Sequence, residues 1–85
     1  MKKITEKKLE AIAAYMDDDL REWTNYHYCG ESNEEFIKQY FLRLCYEQGE
    51  EKAEEFENLL WNEFEIDIDN IVSYEEKRNA IEDYV

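Results

Sequence analysis

A chain of 85 residues with 44% hydrophobic and 15% aromatic residues is long and apolar enough for one folded domain, and too apolar for a disordered tail. Its net charge of −13 excludes direct binding to nucleic-acid phosphates or to an anionic membrane, both of which are held by Lys and Arg. No run approaches the roughly 20 apolar residues of a membrane span, and the lysines near the start lead into a charged amphipathic run rather than an apolar signal core, so a cytoplasmic protein is expected.

There is no proline, and Gly30 and Gly49 are the only glycines, which predicts a mainly α fold. The expectation is a small single-domain bundle of three to four helices over residues 1–85, with the glycines as stop signals. From Ile4 to Cys29, Leu9, Ile12, Ala13, Met16, Leu20, Trp23 and His27 recur at steps of three and four, the pattern of one long helix with one buried face. After Gly30, Ser32 and Glu35 have the spacing of a capping box and open a second helix. Its main face carries Ile37, Tyr40, Phe41 and Leu44, while Leu42 and Tyr46 project from the other side. One core face cannot hide both sets, so the second face is either buried between helices or in contact with another chain, a second copy included.

A third helix follows Gly49. Ala53, Phe56, Leu60 and Phe64 share its inner face, Glu51, Glu55, Asn58 and Asn62 lie opposite, and Leu59 and Trp61 flank the stripe. The alternation EIDID then predicts a short extended segment near residues 65–69. A last helix is capped by Ser73 with Glu76, with Ile71, Tyr74, Ile81 and Val85 closing the core.

Catalytic and metal chemistry find little purchase. The DIDN run at Asp67–Asn70 begins like a calcium-binding loop, but Val72 and Arg78 stand where its glycine and bidentate glutamate belong. Asp17, Asp18 and Asp19 fan around a helix at about 100° per residue and cannot converge on one ion. His27, the one histidine, reads as a structural residue near a helix end. Cys29 and Cys45 lack any CxxC spacing and read as two buried free thiols. No enzyme activity, cofactor or metal is expected.

The charge itself is the strongest signal. The first eight residues hold four lysines against one glutamate, and the remainder holds 22 acids against six bases. Between Glu50 and Asp69 nine carboxylates face a single lysine. Glu50 and Glu51 suit the first turn of a helix, but like charges four apart, such as Glu47/Glu51, Glu50/Glu54 and Glu51/Glu55, cost roughly 0.2–0.5 kcal/mol each. Lysines there would give solubility without that cost, which points to a need for negative potential.

In this composition the chain resembles the small acidic inhibitors of phages and mobile elements, the anti-CRISPR and antirestriction proteins that act as DNA mimics. The resemblance implies a non-enzymatic inhibitor that meets the basic surface of a nucleic-acid-binding protein, such as a CRISPR or restriction nuclease, and contacts no nucleic acid itself. Glu50, Glu51, Glu54, Glu55, Glu63, Glu65, Asp67 and Asp69 are the candidate phosphate surrogates. Leu42, Tyr46 and Trp61 are candidate apolar anchors, each with a core reading beside it. The alternative is a small helical interaction module, an adaptor or antitoxin-like partner, bound through the second face of the second helix.

Overall fold

The computed structural model describes residues 4–28 and 32–84. Helix α1 spans Glu6–Ala13 and α2 spans Asp18–His27, so the single helix expected over 4–29 is broken in two. Asp17 is the cause. The amides of Tyr15 and Met16 donate to Ile12 and Ala13, three residues back, and tighten the end of α1. Asp17 then turns extended (φ −65°, ψ 130°), and its carboxylate accepts the Leu20 N–H at 3.1 Å, the capping bond that aspartate makes better than any helix-interior residue. Its own N–H donates to the Tyr40 hydroxyl at 2.8 Å, pinning the break to the next helix. Asp18 and Asp19 therefore start α2, where they complement its dipole.

Helix α3 runs from Asn33 to Phe64, with Ser32 accepting the Glu35 N–H at 3.1 Å. Glu35 does not complete the expected box, because its carboxylate accepts from Gln39 instead. A straight helix of this length would reach about 48 Å, yet the longest extent of the protein is 33 Å. Gly49 resolves the mismatch. Its backbone (φ 89°, ψ 175°) is the one non-helical position inside α3, in a region open essentially to glycine alone. There the chain folds back, so that the Tyr40 and Phe56 ring centroids stand 5.0 Å apart instead of the roughly 24 Å that sixteen helical residues would impose. The two arms, 33–48 and 50–64, face each other through Ile37, Tyr40, Phe41 and Leu44 on one and Ala53, Phe56 and Leu60 on the other, all buried. The Tyr84 ring lies over the corner, 3.2 Å from where a Cβ on Gly49 would sit.

Glu65 ends α3 in the left-handed conformation (φ 56°, ψ 36°), with the Glu65 and Ile66 amides donating to Trp61 and Leu60. In the link, Ile66 and Ile68 point inward while Glu65, Asp67 and Asp69 face water. The alternation is present, but the extended part is shorter than expected: Asp67 is extended, and Ile68–Asn70 closes into a 3-10 turn capped by the Asp67 carboxylate. Helix α4, Tyr74–Glu82, begins with a reciprocal capping box between Ser73 and Glu76. Tyr74, expected in the core, is 77% exposed, because the first residue after the Ser73 cap projects away from α3. Val72 is buried in its place. Val85 lies outside the described residues.

Three consecutive residues of α4 fasten it across the hairpin. Glu76 reaches Lys38 on the first arm at 2.8 Å, while Lys77 and Arg78 reach Glu57 and Glu50 on the second at 2.8 and 3.2 Å. The hydrogen bond from Lys38 holds the Glu76 carboxyl below its ordinary range, and the same bond raises Lys38. Burial works against the Lys77 charge, but the bond to Glu57 and the fields of Glu57 and Asp69 outweigh it and hold the ammonium high. With α1 and α2 also packed on α3, the first arm is covered from several sides, and Leu42 is half-buried against the core.

Candidate functional site

The nine carboxylates of residues 50–69 do not form one row. Glu50 and Glu57 are engaged by Arg78 and Lys77, and Glu55 makes a loose, exposed pair with Lys52 at 3.5 Å. Glu51, Glu54, Glu63, Glu65, Asp67 and Asp69 are exposed and have no ion-pair partner among the described residues. At 3.6 residues per turn, Glu51, Glu54 and Glu55 share the outer surface of the second arm with Asn58, whereas Glu63 leaves it about 120° around from Glu51. Glu65, Asp67 and Asp69 cluster at the tip, where the left-handed turn redirects the chain.

Trp61 stands at the junction of the outer row and the tip. Its side chain is 58% exposed and borders a cleft of about 250 Å³ lined by Glu57, Asn58, Ile66, Asp67 and Ile68. A large apolar ring beside a carboxylate at a cleft mouth suits a partner group that is both apolar and cationic. Among the candidate anchors Trp61 is thus the most open. Tyr46 is 38% exposed and lies against the Arg43 guanidinium, 5.0 Å from the ring centroid. Leu42 has most of its surface turned inward.

A second surface escapes the sequence reading. Trp23 and His27, placed there on the apolar line of a long helix, are half-buried and exposed respectively, and their ring centroids stand 4.4 Å apart with the planes tilted at 40°. Thr24 is buried in their stead, its hydroxyl donating to the Leu20 carbonyl at 2.8 Å. Asp19, Glu22, Trp23, Asn25, Tyr26 and His27 line an open, shallow surface on the outward side of α2. Arg43 lies 4.4 Å from the Trp23 ring and is held by Glu47 at 2.6 Å. The available signal was the density of aromatic residues in WTNYHY, residues 23–28, where Tyr26 and Tyr28 fall off the apolar line.

Cys45 is buried and its thiol is pushed up to about 11 by desolvation, far from the thiolate a nucleophile requires. Cys29 lies outside the described residues. No group of three His, Cys, Asp or Glu side chains that would hold a metal occurs among the described residues, and no helix among them is long and apolar enough to cross a membrane. Comparison with protein-family models, curated proteins and solved structures finds no match, so the reading of function rests on the surfaces themselves.

Proposed function

We propose that this chain is a non-enzymatic inhibitor of a nucleic-acid-binding protein, of the anti-CRISPR or antirestriction kind, that presents carboxylates where the target expects phosphates. The observation that carries this reading is the set of six exposed carboxylates between Glu51 and Asp69 with no ion-pair partner among the described residues. Side chains one helical turn apart leave the helix from Cβ atoms about 5–6 Å from each other, a spacing comparable to that of phosphates along a strand. The arm that bears Glu51 and Glu54 is held by the Gly49 corner and by the α4 ion pairs, so little ordering remains to be lost on binding. Long-range attraction brings the basic groove of the target to this surface. Trp61, beside Asp67, supplies the apolar contact that a ring of rim charges lacks.

The test is displacement of a labelled DNA duplex from a panel of CRISPR and restriction nucleases, followed by fluorescence anisotropy. Wild-type protein should release the duplex from at least one of them. The Glu51→Gln/Glu54→Gln variant should need about tenfold more protein, with a shallower dependence on salt. Equal potency of the two proteins, or nucleases that hold duplex and this protein together, would defeat the reading. The exposed aromatic face of α2 favours a second reading, a helical adaptor or antitoxin-like module, for which the glutamine pair would leave partner affinity unchanged.

A further inference from the structure

We infer that the outward face of α2 is a docking surface for an arginine- or lysine-bearing segment of a partner protein, independent of the acidic surface at residues 51–69. Helix α2 buries only Leu20 and Thr24. Beside them Trp23 is half-buried against Arg43, and on the water side Tyr26, at 84%, is the most exposed large hydrophobic side chain among the described residues. A helix with aromatic groups on its water side is an unpartnered face.

Charge selects the occupant. Of the two arginines beside this face, Arg43 is held by Glu47 at 2.6 Å, and Arg21 makes a loose, exposed pair with Asp18 at 3.6 Å. Asp19 and Glu22, on the same surface, have no ion-pair partner among the described residues. This face therefore combines aromatic rings with carboxylates that have no ion-pair partner among the described residues. Such a surface takes a cation carried on an apolar stem, the stem lying on the rings and the charge meeting the carboxylates. Arg43 shows the same chemistry within the chain, its guanidinium packed between the Trp23 and Tyr46 rings while Glu47 holds its charge.

Two other occupants fit worse. A second copy would bring Asp19 and Glu22 against like charges on a chain of net −13. Single-stranded nucleic acid stacks on exposed aromatics, but the grooves that hold it are positively charged, and this face is edged by carboxylates.

The test uses the full chain carrying Trp61→Phe, which leaves Trp23 as the sole tryptophan, with an arginine-rich peptide as probe in about 0.15 M salt. Any acidic protein attracts such a peptide, so the decisive comparison is between variants of equal charge. Tyr26→Ala should weaken binding about fivefold, whereas Tyr74→Ala, which removes a tyrosine 77% exposed on α4, should leave it unchanged. Asp19→Asn/Glu22→Gln should likewise weaken binding more than Glu54→Gln/Glu63→Gln. The peptide should shift Trp23 fluorescence to saturation. Equal losses from Tyr26→Ala and Tyr74→Ala, a silent Trp23 at saturation, or a Trp23 response to a single-stranded oligonucleotide in place of the peptide would each overturn the inference. Tyr26 is outside the core, so circular dichroism of the variants should match the parent.

Discussion

Replacing Gly49 with alanine distinguishes a folded-back α3 from a continuous helix by the sign of its effect. In a straight helix alanine is about 1 kcal/mol better than glycine, so the substitution would stabilise the protein. In the corner, φ is 89° and ψ is 175°, and holding a non-glycine residue in that region costs roughly 1–3 kcal/mol. The new Cβ would also stand 3.2 Å from the Tyr84 ring, which must shift by a few tenths of an ångström. We therefore expect Gly49→Ala to destabilise by about 2–3 kcal/mol. For a domain of this size that corresponds to a fall in Tm of roughly 8–24 °C. Thermal and urea denaturation followed by circular dichroism would measure it, and repeating both in a Tyr84→Ala background would separate ring contact from backbone strain. A higher Tm for Gly49→Ala would refute the hairpin.

Two further substitutions probe the ends of the second arm and of α4. Glu65 sits at positive φ, so Glu65→Gly should raise stability by about 1 kcal/mol. Glu65→Gln, which removes the charge and keeps the strain, should gain less, and equal Tm values for the two would contradict this. Glu76→Gln keeps the capping geometry but removes the charge that meets Lys38, at a cost of about 0.5 kcal/mol near neutral pH. Because the Glu76 carboxyl is held below its ordinary range, its contribution is complete above the unfolded-state value of about 4.3 and disappears as pH falls through the lower folded-state value. The stability gap between wild type and Glu76→Gln should close on acidification, and a gap that persists at pH 2 would assign Glu76 another role.

The parts of the fold written in local chemistry were legible. Ser32 and Ser73 mark helix starts, and the Ile66/Ile68 alternation marks the link, because caps and periodicity act over a few residues. The break at Asp17 was hidden because Met16 and Leu20 remain buried on both sides of it, so the apolar steps run on undisturbed. Gly49 was visible as a boundary, but not as a corner with no loop, since that depends on arms meeting sixteen residues apart. The acids of residues 50–69 were countable, yet their sorting was not. Lys77 and Arg78 are adjacent in the chain to Glu76, and only packing of α4 reveals that they pair with Glu57 and Glu50, half-burying the first and leaving the second exposed. The α2 aromatic face was missed for the same reason, Thr24 and not Trp23 being the residue that turns inward.

The corner at Gly49 also orders events in time. With no loop between its arms, bringing Tyr40 to Phe56 closes a short segment at small entropic cost, so the α3 hairpin is the natural early unit of folding. Helix α4 closes longer segments, from Lys77 back to Glu57 and Arg78 back to Glu50 as far as Glu76 back to Lys38. Strain at Gly49 should then appear mainly in the folding limb of a chevron, and loss of a contact made by Glu76, Lys77 or Arg78 mainly in the unfolding limb. The lifetime of the folded acidic surface is on this account set by α4, which carries none of the exposed carboxylates of residues 51–69.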